Sequence, residues 1–166
     1  GIMMGTRCGD IDPAIVPFVM KKTGMTPDEM DTALNKKSGM LGISGMSSDA
    51  RDIENAVAEG NERAILTQQL YVNRAINVIG GYYFQLGGCD AIVFTAGLGE
   101  NDCNLRHQIC AKLEKAMDLK MNYELNDKTR GKEVCVSADD SKVQVWVVPT
   151  NEELVIARDT YSLLGF

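Results

Sequence analysis

The 166 residues include one histidine, one tryptophan and four prolines, and they hold no long apolar run and no block of basic residues. Each shortage closes a class of function. The single histidine, His107, lies in the middle of a helical stretch, and no G-x-S-x-G elbow exists, so nucleophilic catalysis by a serine or cysteine has little support. With 23 acidic residues against 17 basic ones, a formal net charge of -6 and no stripe of lysine or arginine, nucleic acid is not an expected partner. No apolar stretch approaches the roughly 18 residues needed to span a bilayer, and the start of the chain lacks a signal peptide's basic and apolar segments, so no membrane partner is expected. Five cysteines, an odd number without a C-x-x-C pair, argue against a disulfide framework or a zinc ribbon and point to a reducing, cytoplasmic setting. The phosphate-loop signature G-x-x-x-x-G-K-[ST] is missing too.

What is present reads as one ordinary folded domain. Hydrophobic residues make up 45% and charged residues 24%, enough for one sizeable core. The chain opens on the apolar "GIMMG" without an initiating methionine, as an excised fragment would. Asp12 and Pro13 read as the cap and first residue of a helix running to Gly24, which Pro17 should kink or split. Thr26, Pro27, Asp28 and Glu29 open a second helix that ends at Lys36, Lys37 and Gly39. "GMLGISGMSSDARD" reads as a Gly/Ser-rich loop, with Ser47 or Ser48 capping the next helix. The longest helix spans Asn61 to about Leu86, with apolar residues at three- and four-residue spacing, and Gly80-Gly81 within it points to close approach of another backbone.

"AIVFT" from Ala91 reads as a strand covered on both faces, "NLRHQICAKLEKAM" as a helix, "EVCVS" and "VQVWVVP" as strands, and "TNEELVIARDTYSLL" as a closing helix capped by Thr150 or Asn151. "NDKTRGKE" (126–133) reads as a polar surface loop. Strands alternating with helices imply an α/β fold with a mixed, partly parallel sheet flanked by helices, and ligands at the loops that follow strands.

Several residues then stand out. Gly97-Leu98-Gly99 follows the first strand and leads through Glu100-Asn101 into a helix. It lacks the third glycine of a dinucleotide fingerprint, which leaves two readings: bare backbone lying flat against a ring or sugar, or a tight turn using glycine's access to positive φ. Arg7, between Gly5 and Gly9, is a permanent planar cation suited to phosphate or carboxylate, unless it merely pairs with Asp10 or Asp12. Asp49 and Arg51 sit at one helix start and Glu152 and Glu153 at another, where acids ordinarily complement the helix dipole. His107 shares a helix face with Cys103 and Cys110. Those two cysteines lie about 10 Å apart along a helix axis, too far to share one ion, so a half-buried packing face is the better reading.

Together "GIMMGTRCGDIDP", "SGMSSDARD", "FTAGLGEN" and "VVPTNEELVIARDT" closely resemble, in order and spacing, the C-terminal half of the acetate kinase family, over essentially the whole chain. The resemblance implies a ribonuclease H-like domain of the sugar-kinase and actin superfamily, and reversible phosphoryl transfer from ATP to acetate with magnesium. Propionate and butyrate kinases share the motifs. By position it implies that Arg7 stabilises the transition state and that Asp49, Ala50 and Arg51 hold the nucleoside, with alanine where the family usually has leucine. It likewise implies that Gly97, Leu98, Gly99, Glu100 and Asn101 contact adenosine and that Glu152 is linked to Mg2+. Cys8 stands where serine is usual. The resemblance further implies ATP or ADP and a short-chain carboxylate as ligands and a homodimer through this domain, with Tyr71, Tyr82, Tyr83 and Phe84 of the long helix as a candidate contact, a face that reads at least as readily as ordinary core within the domain. The family's N-terminal half carries an asparagine, an arginine, an aspartate and histidines of the active site and most of the acyl pocket. The 166 residues alone are therefore expected to be catalytically inactive, or to act as a dimerising, nucleotide-binding module.

Overall fold

The computed structural model describes residues 1–165. The chain divides into two compact units, Gly1–Leu86 and a second from Gly87 onward. The first holds helices α1 (Ile15–Thr23), α2 (Pro27–Lys36), α3 (Gly39–Ser44), α4 (Ala50–Ala58) and α5 (Glu62–Leu86). The second holds β1 (Ala91–Phe94), α6 (Ala96–Asn101), α7 (Cys103–Met117), α8 (Tyr123–Lys128), β2 (Val134–Cys135), β3 (Gln144–Val147) and α9 (Glu152–Leu164).

Local chemistry sets the helix ends of the first unit. At α2 the Thr26 hydroxyl accepts from the Glu29 amide at 3.3 Å and the Glu29 carboxylate accepts from the Thr26 amide at 2.8 Å, a complete capping box. Helix α1 begins later than its sequence suggests. The Asp12 side chain accepts from the Ala14 amide at 2.9 Å and closes a turn rather than capping the helix. Pro17 consequently falls in the first turn, where its missing donor has no intrahelical partner to lose, and α1 runs through it as one helix. The expected loop before residue 45 contains a helix, α3, and the cap of α4 is Asp49 rather than Ser47 or Ser48. Helices α3 and α4 pack on α5, where Ala64, Thr67, Val72 and Ala75 of α5, Met40 of α3 and Ile53 of α4 are buried. A Cβ added at Gly80 or Gly81 would meet no described atom within 4 Å, so the expected close approach of another backbone does not occur there among the described residues.

The strand-helix alternation is confined to the second unit, since the first has no strand among its described residues. The sheet order is β1-β3-β2, with β1 parallel to β3 (Ala91↔Gln144 to Phe94↔Val147) and β2 antiparallel to it (Val134↔Val147). Thus the fold is α/β with a mixed, partly parallel sheet, as the element pattern implies. Strand β1 is not covered on both faces within its unit: its residues alternate between exposed and half-buried, and Val93 is 54% exposed. Helix α7 supplies the core with Leu105, Ile109, Leu113 and Met117 at four-residue spacing. The 126–133 segment departs from a polar surface loop. Its first residues close α8, and Asn126 and Thr129 are buried.

Candidate functional site

Arg7 stands on a loop held by its backbone. The Met4 amide donates to the Arg7 carbonyl at 3.0 Å, and the Cys8 amide to Leu34 of α2 at 2.9 Å. Ser38, Met40 and Leu41 donate their amides to the carbonyls of Thr6, Met4 and Gly5, each at 2.9 Å. Glycine is required at the seam. A Cβ at Gly39, whose φ is 62°, would sit 2.1 Å from the Met4 carbonyl oxygen, and one at Gly5 would sit 2.6 Å from that of Ser48. The loop is therefore pinned both to the start of α3 and to the segment before Asp49. Its side chain is free: Arg7 is exposed and has no partner among the described residues. Asp10 lies 3.8 Å from Arg74 and Asp12 accepts from the Ala14 amide, and neither pairs with Arg7 among the described residues.

Asp49 and Arg51 are engaged with each other. Asp49 caps α4 by accepting from the Arg51 amide at 2.9 Å, and its two oxygens accept from Arg51 Nε at 3.0 and 3.2 Å and from Nη2 at 2.6 Å. The guanidinium and the capped amide together hold the Asp49 carboxyl at about 2. The Arg51 side chain is 86% exposed, so its other donors and its planar face are open to solvent. Ser47, which does not cap α4, accepts from the Asp49 amide at 3.0 Å and donates to Asp52 at 2.6 Å, fixing the turn into the helix. Ala50 follows as the first helical residue, half-buried.

In the second unit the Gly97–Asn101 turn is wound as α6. The positive φ lies on Ala96, at 58°, while Gly97 and Gly99 lie outside the left-handed region, so the tight-turn explanation of these glycines fails. Gly99 is small because Phe94 is close, with a Cβ there 3.1 Å from the Phe94 carbonyl carbon. Gly97 has no such reason: a Cβ there would meet nothing within 4 Å. Leu98 is half-buried, and Asn101 donates its side-chain amide to the Gly97 carbonyl at 3.0 Å. Glu100 accepts from the Thr150 amide at 2.6 Å and hydroxyl at 2.7 Å, which draws its carboxyl below the usual range and ties the turn to the entrance of α9.

Glu152 is the first residue of α9, exposed and with no partner given to it among the described residues, while Asn151 caps the helix through the Leu154 amide at 2.9 Å. A hard carboxylate open to solvent suits Mg2+ as one oxygen ligand, directly or through water. It offers only part of a coordination shell: no group of three or more His, Cys, Asp or Glu able to hold a metal ion occurs among the described residues. Helix α9 buries none of its own residues, and Ile156 and Leu163 are 66% and 87% exposed.

His107 lies 44% exposed beside Tyr123, with ring centroids 4.1 Å apart, and Cys110 is fully buried, its thiol pushed up to about 12 by burial. This is the packing face expected of that helix. What escapes local inspection is Arg106. It is wholly buried and donates Nε to the Asn126 side chain at 2.9 Å, Nη1 to the Gly99 carbonyl at 2.8 Å and Nη2 to the carbonyls of Asn126 (3.2 Å) and Thr129 (2.6 Å). Its one sequence signal is an arginine in the same helical row as the buried Cys110, Leu113 and Met117.

No described helix is long and apolar enough to cross a membrane. Comparison with known proteins gives a consistent picture. A sequence profile described as the Acetokinase family matches residues 1–158. The chain is 54% identical over 163 residues to an acetate kinase of Syntrophomonas wolfei, covering 98% of this chain and 41% of that protein. It is 56% identical to an acetate kinase of Clostridium botulinum, with the same coverage of 98% and 41%. A crystal structure of Porphyromonas gingivalis acetate kinase superposes with a TM-score of 0.91 at 44% identity, over 99% of this chain and 41% of that one. A propionate kinase from Francisella tularensis superposes with a TM-score of 0.87 at 34% identity, over 96% and 40%. The chain thus spans about two fifths of the length of the curated relatives it matches. With a family profile covering 158 of its 166 residues and that likeness in both sequence and fold, the chain belongs to the acetokinase family.

Proposed function

We propose that these residues form the nucleotide-side portion of an enzyme that moves the γ-phosphoryl group of ATP reversibly onto acetate, giving acetyl phosphate and ADP. In this reading a carboxylate oxygen of acetate bonds to the γ-phosphorus as the bond to the β-phosphate oxygen breaks, and ADP leaves with that electron pair. Arg7 meets the equatorial oxygens of the phosphoryl group in flight, where a fixed guanidinium favours the charge distribution of transfer over that of the ground state. The observation that carries the reading is the free, exposed guanidinium of Arg7 on a backbone-clamped loop, in a chain of this family. Asp49 and Arg51 take the nucleoside, with Arg51's open face flanking the base; Ala50 sets their spacing. Gly97 to Asn101 receive adenosine across the bare Gly97. Glu152 would hold Mg2+, which would supply charge neutralisation at the phosphates.

Acyl-chain preference lies with residues outside this chain, and the likeness to a propionate kinase keeps that short-chain acid as the second reading. Of the four aromatic residues singled out on α5, Tyr82 (61% exposed) and Phe84 (84% exposed) are open to a homodimer contact, whereas Tyr71 and Tyr83 are half-buried within the unit. A cytoplasmic setting fits the free cysteines. Alone, without the partners that position acetate and the phosphates, the chain is inactive.

The test is a chimera in which this chain replaces the matching two fifths of the Syntrophomonas wolfei relative. It should turn over ATP in an acetate-dependent manner, and Arg7→Ala should lower turnover by roughly 10³-fold or more while leaving ADP affinity nearly intact. Acetate-dependent turnover that survives Arg7→Ala would refute the assignment.

A further inference from the structure

Helix α6 is six residues long, too short to hold itself together, so its shape is imposed by what grips it. Three of its last four carbonyls are taken by groups beyond its end: Leu98 by the Asp102 amide at 3.0 Å, Glu100 by the Gly131 amide at 3.1 Å, and Gly99 by Arg106 Nη1 at 2.8 Å. Of these three donors only Arg106 is a side chain, and it is the one with a full charge at the negative end of the helix. The same guanidinium grips α8 through Asn126 and the residue that follows the helix, Thr129, so one rigid fork joins the turn, α7 and the 126–129 segment. A buried guanidinium with only neutral acceptors is costly to desolvate. The fork offers what a lysine does not, donors at fixed angles reaching three backbone carbonyls and a side-chain amide at once.

We propose that Arg106 is a positioning residue for the nucleotide: it never touches the ligand, and it fixes the Gly99 carbonyl so that Gly97 and its neighbours present one backbone surface to adenosine. This rests on the assignment of the 97–101 turn to the nucleotide. The measurement is the dissociation constant for ADP with Mg2+, by calorimetry on this chain. It is made for the parent chain, for Arg106→Lys and Arg106→Gln, and for Ile109→Val, which thins the buried core of the same helix and leaves the Arg106 hydrogen bonds in place. Amide hydrogen exchange of residues 96–101 is followed without ligand. Arg106→Lys, folded at the assay temperature, should bind ADP at least tenfold more weakly and exchange residues 96–101 at least tenfold faster. Ile109→Val should lower the thermal midpoint and leave both readouts within twofold.

Folded Arg106 variants that bind ADP like the parent overturn the proposal. So does an Ile109→Val chain that loses as much affinity, which would mean general loosening, and so does failure of both Arg106 variants to fold. A parent chain that does not bind ADP overturns the nucleotide reading itself and takes this proposal with it.

Discussion

Replacing Gly97 with alanine should improve the fold and damage the site. The residue lies in α6 with φ outside the left-handed region, and an added Cβ meets nothing within 4 Å. The substitution therefore costs nothing in contacts and removes backbone freedom from the unfolded chain, a gain of about 0.5–1 kcal/mol. For a chain of this length that corresponds to a rise of about 1–4 °C in the thermal midpoint. Two positions on, the sign reverses. At Gly99 the Cβ would lie 3.1 Å from the Phe94 backbone, which cannot swing aside as a side-chain end would. Overpacking of about 1–3 kcal/mol then outweighs the same entropic gain, and Gly99→Ala should melt lower than the parent. ADP binding separates the two causes. If the 97–101 turn receives adenosine as proposed, a methyl group at Gly97 would stand against the ring or sugar, and affinity should fall about tenfold, equivalent to about 1.4 kcal/mol, in a protein that has become more stable. Scanning calorimetry and ADP titration of the two variants are sufficient. A Gly97→Ala chain that melts lower than the parent would refute the conformation described for α6, and one that melts higher but binds ADP unchanged would remove Gly97 from the ligand surface.

Two further outcomes follow from the first unit. Gly39→Ala places a Cβ 2.1 Å from the Met4 carbonyl oxygen at a φ of 62°, so chemical denaturation should show a loss of roughly 2–5 kcal/mol, and a neutral result would contradict the docking of the Arg7 loop. Asp49 is held at about 2 against an ordinary 3.8. The folded chain binds that proton more weakly than the unfolded chain, so the stability it contributes is complete above about pH 4 and disappears as pH falls through about 2. A carboxyl carbon titration should show the low midpoint, and Arg51→Ala should raise it part of the way, because the capped amide bond remains. An Asp49 midpoint near 3.8 in the parent would show that the pair does not form.

Where structure is dictated by neighbours in sequence, the sequence alone determined it. Thr26 and Glu29 make a capping box with no help from the rest of the fold, and the rows of apolar residues in α5 and α7 are periodic whatever they pack on. The four motifs that reveal the family are likewise linear, so the family was legible in the sequence, and with it the proposal that Arg7, Asp49, Arg51 and the 97–101 turn form the site.

Tertiary structure decided the rest, because it depends on which distant group takes a given donor or acceptor. Asp12 and Asp49 are both acids before a helix, yet only Asp49 caps, since the turn from Asp12 to Ala14 delays α1. Helices α3 and α8 are too short for a periodic signal and exist through their contacts: α3 packs on α5, and α8 is anchored by Asn126 beneath α7. Arg7 was equally able, by sequence, to pair with Asp10; the fold sets Arg74 beside Asp10, and so leaves the Arg7 cation free for an anion. Arg106 reads as one more charge on a helix. Only the burial of its side chain against Gly99, Asn126 and Thr129, up to 23 residues away in sequence, makes it the support of the turn.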